Sequence, residues 1–186
     1  MKKREQAKLY YLYMMSDGEV SKDEKKIFNI ICKELELGKE IQDSIVKECK
    51  EIEERYEMTC IELLENDMGV INLKSDIMEL ILSGTDETEQ RATILWNLIN
   101  LGYADAHFTS DEREVVDFLR EKWEISESVY IEMVDVAETC LALEQHKKWV
   151  KQLPESEYKL IKSKQVNQNM KFTQETIKTT ISEMSF

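Results

Sequence analysis

The stretch DGEVSKDEKKIFNIICKELEL, Asp17 to Leu37, returns 88 residues later as DAHFTSDEREVVDFLREKWEI, Asp105 to Ile125. Asp17/Asp105, Asp23/Asp111, Glu24/Glu112 and Glu36/Glu124 are identical at this single offset, and Val20/Phe108, Ser21/Thr109 and Lys25/Arg113 are conservative pairs. The apolar positions Ile27, Ile30, Ile31 and Leu35 match Val115, Phe118, Leu119 and Trp123, so one amphipathic helical stripe is written twice. In each copy a hydroxyl residue is followed three positions on by glutamate: Ser21 by Glu24, Thr109 by Glu112. Such a capping box starts a helix, because the hydroxyl accepts from the third helical N–H while the carboxylate accepts from the N–H of the cap.

The match extends to both sides. Tyr11 and Met15 correspond to Ile99 and Tyr103 before the acidic loop, and Ile41, Ile45 and Val46 to Val129, Met133 and Val134 after it. Each copy therefore reads as helix, acidic loop, helix, short connection, helix. Helices are predicted at about 3–16, 22–36, 39–65, 72–83, 86–104, 110–123 and 126–153, with NDMGVIN, Asn66 to Asn72, as the break between halves. Thr85 with Asp86 and Glu87 supplies a cap and two acids for the fifth of these. The expected fold is all-α: a compact bundle of about seven helices in residues 1–153, built from two pseudo-twofold repeats at about 5–65 and 86–153. Residues 154–186 form a C-terminal extension. Pro154 interrupts the helical pattern there, and the Ser, Thr, Asn and Gln-rich segment beyond it, with sparse apolar anchors, suits at least one packed helix.

Composition agrees. The chain of 186 residues is 42% hydrophobic and 34% charged, with only 5 Gly and 1 Pro, too little turn chemistry for many short strands. Its formal net charge of −13 disfavours sequence-independent attraction to nucleic acid or anionic lipid and suits cations or basic partners. The extension carries five Lys against four Glu, so the acidity lies in residues 1–154. No stretch approaches the roughly 20 apolar residues that cross a bilayer. Cys32, Cys49, Cys60 and Cys140 are widely spaced, with no C-x-x-C pair, which argues against structural zinc and, with no secretory signal legible, for a cytoplasmic protein.

The acidic loop invites comparison with an EF-hand. Setting Glu24 at loop position 12 places Asp17 at 5 and Gly18 at 6, but Tyr13 and Met15 then stand at 1 and 3. In the second copy Glu112 fixes Asp105 at 5 and Ala106 at 6, with Leu101 and Tyr103 at 1 and 3. Two carboxylates per loop are missing, which excludes a standard EF-hand. Two readings stay open. Asp17, Glu24, Asp105 and Glu112 hold a weaker divalent cation (calcium, magnesium or manganese), aided by Glu19, Asp23, His107 or Asp111 or by convergence of the copies. Otherwise the same residues are caps, dipole-complementing acids and turn formers.

A helix ending in D-G-x-[VL]-[ST]-x-x-E, repeated within an all-helical domain, resembles the tellurite-resistance TerB family over about residues 5–150. The resemblance implies a compact helical bundle in bacteria, an association with tellurium-resistance and stress-response systems, a tendency to bind metal and no established enzyme activity. The matching acids are Asp17 and Glu24 in one copy and Asp105 and Glu112 in the other. Ala106, where the family prefers glycine, and the Lys-containing extension depart from the family.

No catalytic motif accompanies the loops. The Glu-x-x-His pairs of di-iron bundles, H-E-x-x-H, the phosphate-binding glycine loops and the G-x-S-x-G elbow are all absent. His107 reads as a solvated loop residue or a ligand, and His146, between Gln145 and Lys147, as surface. Trp96, Trp123 and Trp149 are expected to be mainly core anchors. A metal-independent alternative is an interaction scaffold that binds a protein partner through helix 1, whose Tyr10 to Met15 run has apolar residues on several sides, or through the extension.

Overall fold

The computed structural model describes residues 1–16, 20–62, 88–104, 106 and 108–183. The fold is all-α, and among the described residues there are seven helices: α1 Lys3–Met14, α2 Lys22–Glu34, α3 Lys39–Glu62, α4 Thr88–Gly102, α5 Ser110–Lys122, α6 Glu127–Gln152 and α7 Glu157–Glu183. They fall where the periodicity places them. The predicted helix at 72–83, the break at 66–72 and the cap at 85–87 lie outside the described residues.

Two helices form the centre. In α1, Ala7 and Leu9 to Met14 are buried, most of them completely, and in α4 so are Ala92, Ile94, Leu95, Leu98, Ile99 and Leu101. A helix apolar on every side can only be stable when other helices surround it, and α2, α3, α5, α6 and α7 supply the cover. This corrects one expectation: the Tyr10 to Met15 run is core and offers no partner surface. Tyr10 and Tyr13 are both fully buried, and Tyr11 meets Phe28 of α2 edge-on with ring centroids 5.4 Å apart.

The twice-written stripe is core at most of its positions. Ile31 and Leu119 are buried, as are Val115 and Trp123, but Ile30 is 56% exposed and Phe118 38%. At 100° per residue, Phe28, Ile31 and Cys32 set the buried side of α2, and Ile30 falls outside it. Phe118 stands in the same relation to Leu119.

Both copies also end alike. The N–H of Leu37 reaches the Cys32 carbonyl at 2.9 Å and that of Glu36 the Lys33 carbonyl at 2.9 Å. The N–H of Ile125 reaches Arg120 at 3.0 Å and that of Glu124 reaches Glu121 at 3.2 Å. These are Schellman caps, which place the residue after the helix in the left-handed region. Glu36 has φ 60° and Glu124 φ 57°, so a conformation that favours glycine is held by the identical glutamate in both.

α6 and α7 form an antiparallel hairpin. Thr180 donates to Glu132 at 2.8 Å, and the Lys147 ammonium approaches the Met170 sulfur at 3.8 Å nearer the turn. Met133, Ala137, Ile177 and Ile181 seat the base of the hairpin in the main core, so the extension beyond Pro154 packs against the bundle. Val150 and Val166 are buried too, but outside that core, which places them between the two helices. Trp149, expected in the core, is 47% exposed, because it sits in this outer half one residue round the helix from Val150.

Candidate functional site

α1 and α4 run side by side in the same direction. The Gln90 amide donates to the Met1 carbonyl at 3.1 Å, Asn97 donates to the Tyr10 hydroxyl at 3.1 Å, and the Tyr13 hydroxyl lies against Gly102. The partner numbers rise together along both helices, as a parallel pair requires. Their C-terminal ends therefore lie together, and the chain leaves α1 after Met14 and α4 after Gly102 at one end of the bundle, where α2 and α5 begin.

Close approach there depends on Gly102. A Cβ at that position would stand 2.6 Å from the Phe108 ring and 2.6 Å from the Tyr13 hydroxyl. Phe108 is further held by Tyr103, with centroids 5.0 Å apart, and by the Arg113 guanidinium 4.6 Å over its ring. The second loop is thus anchored to the buried α1 through one aromatic side chain.

Both capping boxes form as the sequence predicts. The Ser21 N–H donates to Glu24 at 2.7 Å and the Glu24 N–H to the Ser21 hydroxyl at 3.1 Å. In the second copy the Thr109 N–H and hydroxyl donate to one Glu112 oxygen at 2.8 and 2.9 Å, and the Glu112 N–H reaches the Thr109 hydroxyl at 3.3 Å. Glu24 and Glu112 are each only 3% exposed. Carboxylates at the positive ends of α2 and α5 are stabilised by N–H groups and helix dipoles, so these two have a structural task that needs no cation.

Of the remaining predicted donors, Asp17, Glu19, Asp105 and His107 lie outside the described residues. Asp23 pairs with Lys26 at 2.5 Å. That hydrogen bond and charge hold its carboxyl below the usual range, and the positive charge of Lys148 on α6 adds slightly to the lowering. Asp111 is half-buried in the first turn of α5. Among the described residues no three His, Cys, Asp or Glu side chains cluster as a metal site requires.

Ala106 takes φ 71°, the left-handed conformation glycine would take at loop position 6. The second loop keeps the turn although it lacks the residue that makes the turn easy.

The family model described as tellurite resistance protein TerB matches residues 4–137. The chain belongs to the TerB family. The match spans α1 to the middle of α6, takes in both capping boxes, and stops just before the outer part of the α6–α7 hairpin. No curated protein and no solved structure matches the chain.

Sequence reasoning missed three features at this TerB end of the molecule. The Gly102–Tyr13–Phe108 contact joins residues far apart in the chain, and no local pattern announces it. The left-handed glutamates had a signal in the identity of Glu36 and Glu124, yet glutamate is not a residue from which that conformation is inferred. Glu138, on α6, accepts from the Tyr103 hydroxyl at 3.0 Å and marks where the hairpin passes the loop end. Burial first, and then this bond, raise the Tyr103 pKa.

Proposed function

We propose that this TerB-family chain is a non-enzymatic bacterial cytoplasmic protein of the tellurite-resistance or stress-response type. Its paired acidic turns take up a divalent cation: calcium, magnesium or manganese. The observation that carries the reading is the parallel seating of α1 and α4, which brings the chain into and out of both acidic turns at one end of the bundle. Convergence is what two loops need when each lacks the carboxylates to hold an ion alone. Asp17 and Asp105 are the ligands, and Glu24 and Glu112, locked in their caps, fix the C-terminal edge of each loop.

Calorimetric titration of each cation into chelator-treated protein tests it. Saturable binding that disappears in Asp17→Asn/Asp105→Asn is the expected result. Absence of binding down to millimolar affinity overturns it and leaves the four carboxylates to capping and turns. A metal-independent interaction scaffold is the second reading, and the exposed apolar side chains Trp149 and Phe172 on the hairpin favour it. It proceeds through the C-terminal hairpin alone, since α1 is buried. Among the described residues no helix is long and apolar enough to cross a membrane.

A further inference from the structure

The outer half of α6 and all of α7 lie beyond the residues that match the TerB model, and they differ from the rest of the molecule in charge and in surface. Residues 143–172 carry seven lysines against three glutamates, with no arginine and no aspartate, a net of +4 that leaves −17 for the remaining residues. Three of these lysines are neutralised close by: Lys147 pairs with Glu144 at 3.4 Å, Lys159 with Glu155 at 2.6 Å and Lys171 with Glu175 at 3.5 Å. Lys148, Lys151, Lys162 and Lys164 have no carboxylate partner among the described residues, and within residues 143–172 only the exposed Glu157 is left to oppose them. All four flank the hairpin turn, in the last turns of α6 and the first turns of α7.

The same tip exposes Trp149, Tyr158, Leu160 and Ile161, each about half, while Val150 and Val166 hold the two helices together outside the main core. The Lys162 ammonium stands 5.7 Å over the Tyr158 ring. Leu160 is 100° from Ile161 around α7, and Trp149 comes from the other helix, so apolar groups face several directions around the tip. A rigid flat surface could meet only one of them, whereas a tip pushed into a fluid headgroup layer is wetted by lipid on every side. The residue types agree. Trp and Tyr, apolar in body and polar at one end, settle at membrane interfaces, and lysine lays its stem along apolar surface while its ammonium stays among phosphates. Protein interfaces favour arginine and are depleted in lysine, and base recognition relies on the paired donors of arginine, yet every cation here is lysine. The charge of −17 elsewhere turns the molecule so that this end leads toward a negative surface.

We infer that the tip of the α6–α7 hairpin is an anchor for anionic phospholipid membranes. Trp149, Tyr158, Leu160 and Ile161 enter the headgroup layer, and Lys148, Lys151, Lys162 and Lys164 meet the lipid phosphates. This goes beyond both the cation reading and the protein-partner reading and depends on neither.

The test is flotation of the full chain, in chelator, with vesicles of phosphatidylcholine alone or with about 30% phosphatidylglycerol, at about 100 mM and 500 mM salt. Binding to the phosphatidylglycerol vesicles that weakens at high salt is expected, since screening reduces the charge attraction. A blue shift of tryptophan emission should accompany it and vanish in Trp149→Ala, because Trp96 and Trp123 are already buried. Each lysine near an anionic surface contributes about fivefold in affinity, so Lys148→Gln/Lys151→Gln/Lys164→Gln should bind about a hundredfold more weakly. Trp149→Ala/Ile161→Ala should lose at least about tenfold. These positions are exposed, so circular dichroism should show every variant folded. No binding of the wild type overturns the inference, as does a loss below about fivefold in the folded lysine variant. Equal binding to phosphatidylcholine alone overturns it too. Binding to poly-glutamate or duplex DNA without binding to vesicles overturns it in favour of a soluble polyanion.

Discussion

Gly102→Ala tests whether the second acidic loop is fastened to the core by van der Waals contact. The new methyl would stand 2.6 Å from Phe108 Cδ2, 2.8 Å from Phe108 Cε2 and 2.6 Å from the Tyr13 hydroxyl oxygen. Carbon pairs rest at about 3.5–4.0 Å, so the ring must withdraw by about 1 Å. Tyr13 is fully buried in α1 and has nowhere to go, whereas Phe108 sits half-buried in the loop. Its withdrawal loosens the Tyr103 and Arg113 contacts and strains the adjacent Thr109 cap. Overpacking of this kind costs about 1–3 kcal/mol. Helix propensity returns at most about 1 kcal/mol, and less at the last residue of α4. The net loss should be about 1–2 kcal/mol, which at this chain length lowers Tm by about 3–6 °C. Thermal unfolding followed by circular dichroism reads the shift, and faster amide exchange at Thr109 and Glu112 should localise it. A variant as stable as the wild type would refute the close approach on which the loop's placement rests.

Glu24→Gln/Glu112→Gln separates capping from ligation, because glutamine also serves the third position of a capping box. Stability should change by less than about 0.5 kcal/mol per site and cation affinity by less than about threefold, whereas a tenfold loss of affinity would make both carboxylates ligands. Ala106→Gly and Glu124→Gly relieve non-glycine residues at φ 71° and 57° and should each stabilise the chain by about 0.5–1 kcal/mol in denaturant unfolding. Destabilisation by either would mean that its side chain makes a contact worth more than the strain. Burial pushes the Cys32 thiol up to about 11 and Cys49 up to about 12, from an ordinary value of 9.0. Folded pKa values raised in this way leave the neutral thiols fully stabilising below pH 9, and the contribution is lost as pH rises through 11 and 12, at up to about 1.4 kcal/mol per pH unit per thiol. Unfolding midpoints from pH 8 to 10.5 should therefore fall more steeply for the wild type than for Cys32→Ala/Cys49→Ala, and parallel profiles would exclude the thiols as the cause.

Most of the helical architecture is legible because the repeat states it twice. Ser21/Glu24 and Thr109/Glu112 fix where α2 and α5 start, and the structure forms both boxes with the predicted atoms. The limits appear where tertiary context decides. Ile30 and Phe118 belong by spacing to an apolar stripe, but a stripe wider than the contact leaves its edge in solvent. The reverse error befell α1: its aromatic and methionine residues read as too apolar for one buried face, and the resolution is that every face is buried. Trp149 failed as a core anchor because α6 is longer than the bundle it packs on, and length relative to neighbours is not written in any local pattern. The net charge misled in the same way, since a sum of −13 says nothing of seven lysines gathered on one arm.

The two caps also set what a cation site at this end can be. For an ion to take the Glu24 oxygen bonded to Ser21, or the Glu112 oxygen bonded to Thr109, it must strip a partly buried N–H of its acceptor. Leaving such a donor unpaired costs about 1–3 kcal/mol, and recruiting both caps doubles that, which alone lowers affinity by about thirtyfold to twenty-thousandfold. A site that kept its caps intact would avoid the loss and draw on the second carboxylate oxygens of Glu24 and Glu112, on Asp17 and Asp105, and on loop carbonyls. A site with few carboxylates is weak, of the kind that fills only when the cation is abundant. Cation uptake by this chain is therefore expected to follow a change in metal concentration and to act by tying the two loops together, while the helices that carry them stand with or without the ion.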